Sequence, residues 1–260
     1  MPLNPRPLPI LLIALCLCIG LAGQVAAAEV CQGYGPQTPR DIGDTAGSNP
    51  VTFSLAPPAS EMNLCNIHFH KNAEHKGPGF GVDAGSGEFG GFRCDGAGQA
   101  GGEGEAVCQN VQVGDSVEVH WVFTSCDVAP GEGLGACSSA ACGNPQLRVE
   151  AQVFQVVADG GLDFAEFSAA PEPMDGFHQP RALPGDTGEA VVFLGSTTGP
   201  SYNATTKCSP LQVTWSVRPQ CSSLDAASLD TWCMDNPFAE TKAQGVRELV
   251  TDPRLLSPIH

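Results

Sequence analysis

Ten cysteines are spread between positions 31 and 233, and no two of them form a CxxC pair. A zinc ribbon needs close cysteine pairs, so that fold is excluded. An even number of widely spaced cysteines instead reads as a set of disulfide staples. Their pairing is not legible in the spacing, although Cys137 and Cys142 are near enough to close a small loop. Two more cysteines, Cys16 and Cys18, fall in an apolar run from Ile10 to Ala22. That run follows Arg6 and leads to Ala26, Ala27 and Ala28, the pattern of a secretory signal at residues 1–28. The run is short for a membrane span. The chain is therefore expected to be exported, periplasmic or extracellular, with no stable membrane insertion once the signal is cut.

Between the cysteines the chain reads as strands. Alternating or β-branched runs occur at "VTFSL" (51–55), "NIHFH" (66–70), "SVEVHWVF" (116–123), "LRVEAQVFQVV" (147–157), "EAVVFLGS" (189–196) and "LQVTWSV" (211–217). Turn-rich stretches separate them. The largest, residues 77–106, is dense in glycine and reads as an irregular insertion or long loop. Helical signal is weak except near "FAETKAQGVREL" from Phe238. No linker or internal repeat divides the chain. Residues 29–260 are expected to form one mainly β, disulfide-stapled domain. It would have a central, largely antiparallel sheet, long loops, few helices and a C-terminal tail from about residue 240. The formal charge of −16 disfavours nucleic acid or an anionic membrane as partner, since both require a basic footprint. Oligomeric state is left open.

Three of the six histidines, His68, His70 and His75, fall within "HFHKNAEH". In a strand, residues i and i+2 share a face about 6.5–7 Å apart, so His68 and His70 can converge on one ion while Phe69 packs behind them. His75 and His120 are the candidates for a third ligand. His120 is favoured because it sits within a second strand, on one face with Glu118 and Val122, while Val117, Val119 and Trp121 turn to the core. His75 follows "KNAE", where the first strand should have ended. Three neutral imidazoles and an open position make the donor set of a catalytic zinc site, with cobalt or cadmium as possible occupants.

The segment "CNIHFHKNAEHKG" resembles the metal-site segment of the delta-class carbonic anhydrases. Shorter islands resemble the alpha class in the same order: "GPQTPRDI" from Gly35, "HFH" then "EH", "EVH" at 118–120, "GSTTGP" from Gly195, and "LQVTWSV". The resemblance spans about residues 35 to 217. It implies a catalytic domain performing reversible, zinc-dependent hydration of carbon dioxide to bicarbonate and a proton, by attack of metal-bound hydroxide on CO2. Lowering of a water's pKa by zinc has its standing example in carbonic anhydrases themselves. The resemblance implies metal ligands His68, His70 and His120. Glu118 would orient a ligand histidine. Thr197 would receive the hydroxide's proton in a hydrogen bond and pass its own to Glu74. The "GSTTGP" island is one residue shorter than the alpha pattern, so Thr198 competes with Thr197 for that role. No histidine matches the alpha-class proton shuttle, and His75 and His178 are its possible substitutes.

Two other readings use the same residues. "HFHKNAE" also fits the first cupin motif, with His68, His70, Glu74 and a later histidine as ligands. The sequence around His120 lacks the proline, glycine and asparagine of the second cupin motif. A non-catalytic exported metal-binding protein would keep the histidines without needing Glu74, Glu118 or the threonine pair.

Overall fold

The computed structural model describes residue 31 and residues 35–96, 105–199 and 203–260. The expected signal at 1–28 lies outside the described residues. Cys31–His260 forms one compact unit. No helix of the described residues is long and apolar enough to cross a membrane.

The backbone of that unit is one sheet. Its strands are β1 (Asn63–Lys71), β4 (Ser116–Thr124), β5 (Leu147–Val157), β6 (Val191–Thr197), β7 (Leu211–Val217) and β8 (Ser222–Asp225), in the spatial order β1-β4-β5-β7-β6 with β8 also on β5. A separate hairpin, β2 (Val82–Asp83) with β3 (Phe92–Arg93), lies within the glycine-rich stretch. Five of the six expected strands are present at nearly the expected bounds. Residues 51–55 form no strand. They run between Pro50 and Pro57 in half-exposed or exposed backbone, and proline denies a ladder its donors. The sheet is mixed. β1–β4, β4–β5 and β6–β7 are antiparallel, but β5 pairs parallel with both β7 and β8.

The expected helical segment near Phe238 is not a helix. Residues 236–240 form a turn around Asn236, and residues 241–249 then run without helix along the edge of the sheet: Gln244 N donates to Phe69 O at 2.8 Å, and Lys71 N donates to Gln244 O at 3.1 Å. This covers the otherwise open edge of β1. The one α-helix among the described residues, α1 (Ala226–Met234), is capped by Asp225, whose side chain accepts from Ser228 N.

Each face of the sheet buries its own core. On one face, Ile67, Phe69, Val117, Val119, Trp121 and Phe123 pack with Leu229 and Trp232 of α1. On the other lie Val122, Val149, Ala151, Phe193, Val213 and Trp215. Cys65 is the extra residue of a bulge, since Leu64 pairs with Phe123 and Asn66 with Val122. Among the described residues five disulfides join Cys31–Cys208, Cys65–Cys137, Cys94–Cys221, Cys108–Cys233 and Cys126–Cys142. A Cys137–Cys142 loop is not made, because Cys137 pairs with Cys65 of β1 and Cys142 with Cys126 just beyond β4.

Candidate metal centre

The pleat and the register assemble the site. His68 lies directly opposite His120, Asn66 opposite Val122, and His70 opposite Glu118, so all six side chains project from one face. His68 Nε2 and His120 Nδ1 stand 3.2 Å apart. One ring nitrogen from each of His68, His70 and His120 lies within 4.8 Å of the others, and all three residues are buried.

The nitrogens that face away from the cluster are held by the protein. His68 Nδ1 meets Asn66 Oδ1 at 2.8 Å, and His70 Nδ1 meets Gly245 O at 2.8 Å. His120 Nε2 sits 3.4 Å from Glu118 Oε1, within ion-pair range but without an aligned hydrogen bond. Such partners fix ring tautomer and orientation. Burial, followed by the neighbouring imidazoles, lowers the pKa of His68 well below its usual value, and burial also lowers that of His70. Neutral imidazoles with convergent lone pairs are what a divalent ion of borderline softness requires. The residues fit zinc.

Glu118 does more than face His120. Its Oε1 also meets His75 Nδ1 at 2.9 Å, and its Oε2 accepts from Glu74 N at 2.6 Å and His75 N at 3.3 Å. The other nitrogen of His75 meets Thr38 Oγ1 at 3.0 Å. His75, Glu118 and His120 thus form a second cluster of potential ligands. Its carboxylate oxygens are already engaged, so it reads as the support of the first. His75 has no exposed surface and does not line the cavity beside the triad.

That cavity, about 90 Å³, holds a few water-sized molecules. One wall is apolar, made by Val122, Leu134, Leu147, Val149 and Trp215. Trp215 is both core and wall. A Cβ on Gly195 would come 2.5 Å from its indole Cδ1, so the close approach of β6 depends on that glycine. The polar side of the cavity carries Glu74, Thr197, Thr198 and Arg247. Glu74 Oε1 accepts from Arg247 N at 3.0 Å and from Arg247 Nε at 3.2 Å. Burial alone would raise the Glu74 carboxyl, but the Arg247 guanidinium leads the opposing charges that bring it down to about 2. Glu74 joins neither ligand cluster, so the four-ligand cupin set is not assembled. Thr197 ends β6 with its carbonyl accepting from Ser209 Oγ, and Thr198 follows in the loop.

Three contributors escaped the sequence reading. Asn66 carried a usable signal, since it stands two residues before His68 on the same face. Gly245 and Arg247 lie more than 170 residues from their partners, within a segment that looked helical, and had none.

The family profile of the delta carbonic anhydrases matches residues 59–228. The chain belongs to that family and is a carbonic anhydrase. No curated protein sequence matches the chain. Among solved structures it is similar to an alpha-carbonic anhydrase from Thermovibrio ammonificans in complex with the inhibitor sulfanilamide. That similarity has 15% identity and a TM-score of 0.33, over 80% of this chain and 83% of the other.

Proposed function

We propose that the chain hydrates carbon dioxide reversibly to bicarbonate and a proton, with zinc held by His68, His70 and His120. The observation that carries this reading is the convergence of three buried ring nitrogens, each backed by Asn66, the Gly245 carbonyl or Glu118. Bound there, zinc supplies Lewis acidity and makes a water acidic, an effect documented in carbonic anhydrases themselves.

The residues of the chain perform the rest. Val122, Leu134, Val149 and Trp215 offer CO2 an apolar wall beside the triad. The hydroxyl of Thr197 or Thr198 accepts a hydrogen bond from the attacking oxygen and donates to Glu74, aiming a lone pair at the substrate carbon. Glu74 is suited to accept, because Arg247 keeps it ionised and occupies only Oε1. Glu118 orients His120, and His75 supports Glu118 from behind. Full burial of His75 favours that positioning role over proton carriage. The set of five disulfides supports an exported, oxidising location for the mature chain.

A CO2 hydration assay on metal-loaded and chelator-treated protein tests the reading. Hydration should be lost with the chelator, restored by zinc, and absent from His120→Ala. Hydration that survives removal of His120 would overturn the ligand assignment.

A further inference from the structure

The reaction proposed above releases a proton that must reach solvent, and the groups lining the cavity are poorly placed to carry it. Three are the ligand histidines, and Glu74 is held ionised by its ion pair with Arg247. His75 and Glu118 lie behind the site with no exposed surface. His178, the other histidine considered from the sequence, does not line the cavity.

The rim offers a different group. Gln244 lines the cavity, and its Nε2 donates to Glu240 Oε1 at 2.9 Å. Glu240 is 9% exposed, so it touches solvent from a largely buried position. A turn organised by Asn236 fixes its backbone: Asn236 Nδ2 donates to Glu240 O at 2.8 Å, and Asn236 Oδ1 accepts from Glu240 N at 3.1 Å. The groups facing the carboxyl are Gln244 and Lys242 from its own segment and Glu132 from the loop preceding Gly133. Gly133 lines the same cavity as Gln244, so Glu132 and Glu240 each adjoin a lining residue. Burial, reinforced by Glu132 and opposed by Gln244 and Lys242, pushes the Glu240 carboxyl up to about 7.

We propose that Glu240 carries the proton between the site cavity and bulk solvent, with the Gln244 amide fixing its carboxylate at the cavity rim. A water in the cavity gives up a proton, which passes over intervening water to a Glu240 carboxylate oxygen and forms a carboxylic acid O–H. A buffer base outside then takes that proton and restores the carboxylate. This inference rests on the CO2 hydration reading. A carrier matched to neutral pH is favoured because both uptake and release must be fast.

The test compares zinc-loaded wild type and Glu240→Gln in dilute buffer, alongside a carbon-13 titration of the glutamate side chains. In the variant kcat should fall about tenfold or more. kcat/KM should hold, high imidazole should restore kcat, and one carboxyl titrating near neutrality should vanish. Gln244→Met, which removes the link and keeps the carboxyl, should lower kcat in the same way and guards against misfolding of the first variant. An unchanged kcat, an equal loss of kcat and kcat/KM, or a Glu240 carboxyl titrating in the ordinary range overturns the carrier role while leaving CO2 hydration standing. A zinc-loaded wild type that hydrates no CO2 overturns the parent reading and this one together.

Discussion

His68 Nε2 and His120 Nδ1 face each other at 3.2 Å across the β1–β4 ladder, so one imidazole presents its ε nitrogen and the other its δ nitrogen. Two backbones in fixed register set that relationship. His120→Ala should abolish stoichiometric zinc binding, as read by metal analysis after dialysis. Phe69→Leu, one residue from two ligands but on the opposite face, should retain it.

Asn66 holds His68 through its side-chain oxygen and also donates Nδ2 to Gly131 O at 3.1 Å. Asn66→Ala should weaken zinc binding by about 10–100-fold, the usual effect of losing an outer partner. Competition with a chromophoric chelator measures it. Asn66→Gln, a longer amide, should recover only part of the loss.

The Glu74–Arg247 pair is buried at both ends. Arg247→Met leaves a carboxylate without its cation and should cost about 3–5 kcal/mol in denaturant unfolding. The wild-type pair also sets an acid limb. The Glu74 pKa falls from 4.5 to about 2 on folding, so the unfolded chain binds the proton more tightly. The ionised Glu74 carboxylate, held chiefly by Arg247, contributes about 3 kcal/mol that is complete above pH 4.5 and disappears as pH falls toward 2. Arg247→Met should flatten that limb.

Glu240 acts in the opposite sense. Its carboxyl rises from 4.5 to about 7 on folding, so the folded chain holds the proton more tightly. The associated stability is present below pH 4.5 and is lost as pH rises through 7. Thermal melts of Glu240→Gln should therefore decline less than wild type between pH 5 and 8.

Cys65–Cys137 closes a separation of 72 residues and tethers the cavity loop carrying Gly133 and Leu134 to β1 beside Asn66. Replacing both cysteines by serine should cost about 4 kcal/mol by loop entropy. It should also weaken zinc binding, because Gly131 N donates to Cys65 O at 3.0 Å and Gly131 O receives Asn66. Urea unfolding and chelator competition on the same variant separate the two effects.

Much of this site is local and was therefore legible. Period-two alternation places His68 with His70, and Glu118 with His120, whatever the rest of the chain does. The same alternation sends Phe69, Val119 and Trp121 to the opposite core. It could not say that β5 would take two parallel neighbours, because a strand's own pattern does not specify which strand comes to lie beside it. Nor could it say that residues 241–249 would lie without helix along β1. Helical propensity is only a slight preference per residue, and backbone bonds to Phe69 and Lys71 overrule it. Sequence by itself determined the residue types and faces that could hold a metal. Tertiary structure decided which distant groups, Gly245 and Arg247, complete the site. Those choices depend on long-range burial and charge pairing that no local pattern encodes.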